Sequence, residues 1–338
     1  MHPFVVVVKK NEVGLQKMWN LVSDEVDRLV PRHRRSAEDD LWSRWDARYG
    51  GEKMTTLPRH IEDSMSDKQK VVIDLFSGTG SATRPYRQDS EYYVIAVDIE
   101  DVGLEGADAF YQMDIFDFWN YVRDGKLAKD LDADLDWNKW EIVFVWASPD
   151  CKRFSMAGGS TMGNHWYHGN PMSSEAFTAL RNVASAIQII EHFDPVYWAL
   201  ENPVGLLRTM PLMGLHQRRT VTYCQYDDPH RRMKPTDIWG ILPVTWKPKS
   251  CKAGDKCHEA APRGSRSGTQ ELTYAEKISI PEKLIQSIKD HCELQNWYRL
   301  RWKVLSDYVR DQENRDFPSP GPDQGAINQI PRSKRGGY

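Results

Sequence analysis

Apolar positions along the chain change rhythm near residue 70. From there on, short β-branched runs alternate with helical periodicity, beginning with a strand over 71–76 and a helix over about 80–88. A second strand runs from Tyr92 to Val97 and stops at Asp98, and Phe110 to Met113 lead into Asp114. Ile142 to Ala147 form a strong strand ending in Ser148-Pro149-Asp150-Cys151. A long helix over about 173–193 then precedes Val196 to Leu200 and Glu201-Asn202-Pro203. Alternation of this kind predicts an α/β fold with an open, mainly parallel, doubly wound sheet across residues 71–240.

The flanking segments read differently. Residues 1–70 form a charged extension in which Val13, Leu15, Met18, Trp19, Leu21, Val22, Val26 and Leu29 fall on one face of a helix expected to dock on the main domain. Periodicity is lost over 241–275, a loop-rich insertion suited to target recognition. It returns over 276–316, where Pro281 suits a first helical turn, and residues 317–338 form a Pro- and Gly-rich tail expected to be flexible.

Composition narrows the class without naming it. The 338 residues can bury a full core, and 40% of them are hydrophobic, with no apolar run near the roughly 18 residues of a membrane span. Five cysteines show no disulfide framework, which suits a reducing cytoplasm, that of the host if the chain is viral. A net charge of −3 leaves nucleic-acid binding to a local basic face, such as the Arg32-His33-Arg34-Arg35 cluster. A monomer is expected.

In a doubly wound sheet, ligands bind beyond the strand C-termini. The strand-to-helix passage VVIDLFSGTG places Asp74, Phe76, Ser77, Gly78, Thr79 and Gly80 there, with glycines that let the backbone approach a ligand and a helix start that offers free N–H groups. It has neither the third glycine of a dinucleotide fingerprint nor the lysine of a P-loop. Asp98, about 20 residues on, either takes the two ribose hydroxyls of an adenosyl ligand or caps a helix, and Asp114 carries the same ambiguity.

Cys151 also falls at this edge, as a nucleophile or as a small buried hydrophobe. Glu201, at another strand end, favours the first. Buried there, its carboxyl has a raised pKa and can donate a proton near neutrality. A thiolate and a carboxylic acid beside an adenosyl cofactor suit addition to an electron-poor ring followed by alkylation.

With these residues in place the chain resembles the cytosine-C5 DNA methyltransferases, most of all the short forms found in bacteriophages. DLFSGTG (74–80) resembles the family's cofactor loop, VDIE (97–100) its ribose acid, and MDI (113–115) its adenine-contacting acid. SPDCKRFS (148–155) resembles the nucleophile motif and ENP (201–203) the acid motif, while YDDPHRRMKPTDIWG (226–240) follows the motif that carries two basic residues, with His230 at its Gln position. The resemblance implies a Rossmann-like class I fold that binds S-adenosyl-L-methionine through residues 74–80, Asp98, Ile99, Asp114, Ile115 and Ser148. It implies that Cys151 adds to C6 of a cytosine flipped from DNA while Glu201 protonates N3. Arg232 and Lys234 would then hold the base, the phosphate or the thiolate's field, and Arg153 and Ser155 would contact DNA.

Three features depart from the family pattern. Asp150 stands where the family has proline, and a carboxylate there raises the thiol pKa unless Lys152, Arg153 or Arg232 compensates. The family's C-terminal Asn-Ser motif is missing. The insertion is short, and its PRGSRSGTQ stretch (262–270) offers Arg263 and Arg266 to phosphates or guanine edges.

The insertion also holds Cys251, Cys257 and His258, with His291 and Cys292 as further candidates. The Cys-x5-Cys spacing is looser than the pairs of structural zinc sites, so no metal is expected. A catalytically weakened DNA-binding relative, or an enzyme acting on RNA or a free cytosine nucleotide, is the alternative. An amino-methyltransferase ranks below these, because Cys151 stands where such enzymes need a stacking aromatic.

Overall fold

A computed structural model describes residues 68–101, 104–132, 139–155, 165–227, 231–259 and 272–296. All of these except Asn296 belong to one unit, Met1–Gln295. The N-terminal helix face, the Arg32–Arg35 cluster, His230, Arg263, Arg266 and the tail lie outside the described residues.

Seven strands form one sheet. They are β1 (Gln69–Leu75), β2 (Tyr92–Asp98), β3 (Ala109–Gln112), β4 (Trp140–Ala147), β7 (Tyr197–Pro203), β8 (Arg218–Thr222) and β9 (Pro235–Ile241), in the spatial order β3-β2-β1-β4-β7-β9-β8. The first five pair in parallel, whereas β9 runs antiparallel to both β7 and β8. A two-stranded hairpin, β5 (Trp166–Tyr167) with β6 (Asn170–Pro171), stands apart.

The strands read as continuous apolar runs because both faces of the sheet are covered. Alternate residues of β1 enter opposite cores. Val71, Ile73 and Leu75 pack with α2 (Ile115–Arg123), α3 (Lys126–Asp132) and α4 (Ser174–Phe193). Val72 instead joins Tyr86, Phe144 and Trp146 against Leu284, Ile285 and Ile288 of a helix over 282–296, α5. This two-sided cover is the doubly wound arrangement that the pattern predicts.

The helix expected over 80–88 shrinks to α1, Arg84–Arg87. Residues before it are spent on turns, with Gly80 N–H bonded to Ser77 O and Thr83 N–H to Gly80 O, and Pro85 sits in the first helical turn. By contrast α4 keeps its predicted length. The Ser173 Oγ accepts from Ala176 N–H at its start, and Asp194 ends it in the left-handed conformation at φ +44°.

The chain leaves β1 toward β2 and β3 on one side and returns to β4 on the other. Strand order therefore reverses between β1 and β4, and a crevice opens beyond their C-terminal ends.

Candidate active site

The first wall of the crevice is the turn after β1. Phe76 holds φ +62°, an unusual conformation for a bulky residue, and Gly80 follows at φ +65°. A Cβ on Gly80 would lie 2.1 Å from the Leu104 side chain, which would have to move aside, and its positive φ adds strain for any other residue. The turn is tied to β2 by two bonds. Ser77 N–H donates to Val97 O (3.0 Å), and Gly78 N–H donates to the Asp98 carboxylate (2.8 Å). The other Asp98 oxygen accepts from Glu100 N–H (3.0 Å). Asp98 thus shapes the loop, and Ile99 beside it is 64% exposed, a bare apolar side chain at the crevice.

Asp74, by contrast, is wholly buried and accepts from Thr83 Oγ1 (2.7 Å), while its Oδ1 has no partner. Burial pushes its carboxyl up to about 7, with Thr83 and Arg87 opposing. An acid raised from 3.8 to about 7 stabilises the fold below its unfolded pKa, and that contribution is lost as pH rises through 7. The full loss is about 4 kcal/mol. Asp74→Asn, which keeps an acceptor for Thr83, is therefore expected to match the parent near pH 4 and to exceed its stability by about 2–4 kcal/mol at pH 8. Urea unfolding at the two pH values checks this, and an unchanged pH slope would refute it.

Asp114 caps α2, accepting from Phe116 N–H (2.9 Å), and pairs with the Arg181 guanidinium of α4 at 3.1 Å. Ile115 is in the core and Thr79 is half-buried in the loop.

The opposite wall joins the ends of β4 and β7. Asn202 Nδ2 donates to Pro149 O (2.9 Å), locking the Ser148–Cys151 turn to the Glu201 strand. Cys151 O then accepts from Phe154 N–H (3.0 Å) and Ser155 N–H (2.8 Å), closing a tight turn after the thiol. Ser155 bridges to Gly205, where a Cβ would meet Phe154 O at 2.1 Å, so the backbones meet only at a glycine.

Glu201 is buried and accepts from Tyr223 Oη (2.9 Å), and a Ser148 hydroxyl bond and the Lys234 charge also favour its ionised form. Burial outweighs all three, and its pKa is raised. Cys151 is pushed up to about 11 by burial first, with Glu201 and Asp150 adding to the rise and Lys234 opposing. The cation that offsets Asp150 is thus Lys234. Lys152 lies over the Tyr274 ring, Arg153 meets His165 Nε2 at 3.1 Å, and Arg232, itself buried, donates to the carbonyls of Glu276 and Ser279. Lys234 stands 4.6 Å from the Tyr223 ring centre and donates to Lys277 O (3.2 Å). Tyr223 is the organising residue that sequence reasoning passed over, whereas Asn202, inside ENP, reads from the sequence as fixing the loop after Glu201 and is bound to Pro149 O.

A seven-stranded sheet in this order, with β9 antiparallel and a glycine turn after β1, defines a class I methyltransferase fold. Among curated proteins, the chain is 28% identical over 238 residues to the probable DNA (cytosine-5)-methyltransferase of Frog virus 3 (isolate Goorha), covering 65% of this chain and 99% of the relative. The resemblance to the cytosine-C5 DNA methyltransferases read from the motifs is borne out by this viral relative.

No family model matches the chain. Among solved structures, the type I restriction-modification methyltransferase subunit of Streptococcus thermophilus aligns at TM-score 0.29 and 11% identity, over 58% of this chain and 42% of that one. The N-terminal domain of human METTL16 in complex with SAH aligns at TM-score 0.25 and 11% identity, over 54% and 65%. Among the described residues, no helix is long and apolar enough to cross a membrane.

Proposed function

We propose that this protein is an S-adenosylmethionine-dependent methyltransferase acting on C5 of cytosine in DNA. The observation that carries the reading is the placement of Cys151 and of a buried Glu201 with a raised pKa at the two strand ends that the Asn202–Pro149 bond locks together, with Lys234 acting on both charges.

The residues present fit the cofactor. The Phe76–Gly80 turn would cradle it, Asp98 would meet its ribose, and Ile99 offers an exposed apolar face to its adenine ring. When bound, S-adenosylmethionine supplies an electrophilic methyl group.

The remaining chemistry belongs to the chain. A cytosine must leave the stack, because C6 is out of reach in a duplex. Cys151 Sγ bonds to C6 as Glu201 gives its proton to N3. The ring π electrons shift toward N3 and C5 becomes an enamine-type nucleophile. After C5 is methylated, its proton passes to solvent water, the S–C6 bond breaks to release the Cys151 thiolate and restore aromaticity, and N3 returns its proton to Glu201. Lys234 favours the thiolate throughout. Arg232, bound to the Glu276 and Ser279 carbonyls, would brace this wall, and Arg153 and Ser155 would line the DNA side.

A second reading, a weakened relative that binds DNA without turnover, is favoured by Asp150 and by a thiol raised to about 11. DNA containing 5-fluorocytosine separates the two. The enzyme forms a covalent adduct that depends on the cofactor and on Cys151, and digested product from ordinary DNA contains 5-methyl-2′-deoxycytidine by mass spectrometry. Binding without adduct or product would establish the weakened relative.

A further inference from the structure

Away from the crevice, four side chains from distant parts of the sequence converge. Cys224 lies in the short 3-10 turn Tyr223–Tyr226 that follows β8, and Cys251, Cys257 and His258 come from the loop after β9. Their Sγ and imidazole nitrogen atoms all lie within 4.8 Å of one another. Cys224 Sγ stands 3.3 Å from Cys251 Sγ and 3.7 Å from Cys257 Sγ, and His258 Nδ1 is 3.6 Å and 3.5 Å from those two sulfurs in turn.

These four of the six separations are close to the edges of a tetrahedron around a zinc ion, and the other two lie within 4.8 Å. Bonds of about 2.3 Å to sulfur and about 2.0–2.1 Å to nitrogen give S···S edges near ~3.8 Å and S···N edges near ~3.5 Å. A disulfide does not explain the cluster, since its sulfurs would lie at about 2.05 Å. Thiol hydrogen bonds do not explain it either, because S–H groups are weak donors that repay little for gathering three cysteines.

The backbone around the four residues is built to hold them. Cys251 N–H donates to Thr222 Oγ1 (2.9 Å) and Cys224 N–H to Arg232 O (2.9 Å). The Arg231 guanidinium donates to Lys256 O (2.9 Å), and Glu259 N–H to Arg231 O (3.1 Å). A turn in which Asp255 accepts from Lys252 N–H (2.8 Å) spaces Cys251 from Cys257.

We propose that Cys224, Cys251, Cys257 and His258 form a structural zinc site. Four protein ligands leave no open position for a substrate, so the ion does no chemistry. Its place gives it a function all the same. Cys224 adjoins Tyr223, which holds Glu201, and the 251–259 loop leads into the basic stretch with Arg263 and Arg266. Zinc would staple that loop to the wall behind Glu201. The expectation of no metal rested on three local ligands at a loose spacing. The missing ligand is Cys224, 27 residues before Cys251, whereas Cys292 is buried in the core with Ile288 and His291 Nδ1 faces Ser287 O (2.7 Å).

The test is metal analysis of the full chain purified without chelator. About one zinc per chain is expected in the parent and in Cys151→Ser, and less than a tenth of that in Cys224→Ser and Cys257→Ser. Should those variants fold poorly, cobalt replacement in the parent gives an independent reading: intense tetrahedral d–d bands with thiolate-to-cobalt charge transfer support the site. A parent chain with no metal and freely titrating thiols overturns it, as does a Cys224–Cys251 disulfide or zinc retained in both variants.

Discussion

Cys151→Ser is expected to lower methyl transfer by on the order of 10⁴-fold or more while leaving cofactor affinity within about twofold. The substitution replaces sulfur by a much weaker nucleophile whose proton is harder to remove, and no hydrogen bond of the Phe76–Gly80 turn involves the Cys151 side chain. The parent thiol begins from an unfavourable position. With a pKa of about 11, roughly 0.1% of it is thiolate at pH 8 in the substrate-free protein. Single-turnover rates should therefore climb with pH on the acidic side. Lys234→Ala should steepen the deficit, because it deletes the cation that opposes burial at the sulfur. Single-turnover transfer from labelled cofactor and calorimetric cofactor binding measure the two halves. A serine variant within tenfold of the parent would rule out covalent addition.

The strands were legible because a sheet covered on both faces demands uninterrupted apolar runs, and Val71 to Leu75, Val94 to Val97 and Val143 to Ala147 have no other use. That Cys151 and Glu201 stand at one sheet edge was legible for a related reason, since they lie at the C-terminal ends of the parallel neighbours β4 and β7. What escaped the sequence is what depends on contacts between distant segments. Lys234 rather than Lys152 or Arg153 opposes Asp150, because the turn closed by Cys151 O carries Lys152 to Tyr274 and Arg153 to His165. Asp74 reads as part of a ligand loop, yet the bond from Thr83 holds it in the interior. Cys224, 27 residues before Cys251, gives no metal signal in the sequence, and it joins the other ligands only because the loop after β9 folds back over it.

Glu201→Gln is expected to cost about 10²–10⁴-fold in the rate of transfer and to remove the alkaline fall of the pH profile. Glutamine keeps the shape and can accept the Tyr223 hydroxyl, but it has no proton to give to N3. The direction of the pH effect follows from the shift. Burial raises the Glu201 pKa, so the acid form survives above the ordinary carboxylate range, and the rise in rate with the thiolate levels off as pH passes through the raised value. Tyr223 works against this by donating to the carboxylate at 2.9 Å. Tyr223→Phe should consequently move the levelling-off to higher pH and raise the plateau, whereas a residue that merely filled space would leave the bend where it was. Combined with the thiol, whose ionised fraction keeps growing up to about pH 11, the parent profile is a broad bell. It rises, bends to a plateau at the raised Glu201 value, and falls only once the thiol is fully ionised and the lost Glu201 proton is no longer offset. Rates across pH for the parent, Glu201→Gln and Tyr223→Phe decide the assignment. A glutamine variant that retains the falling limb would place the proton donor elsewhere.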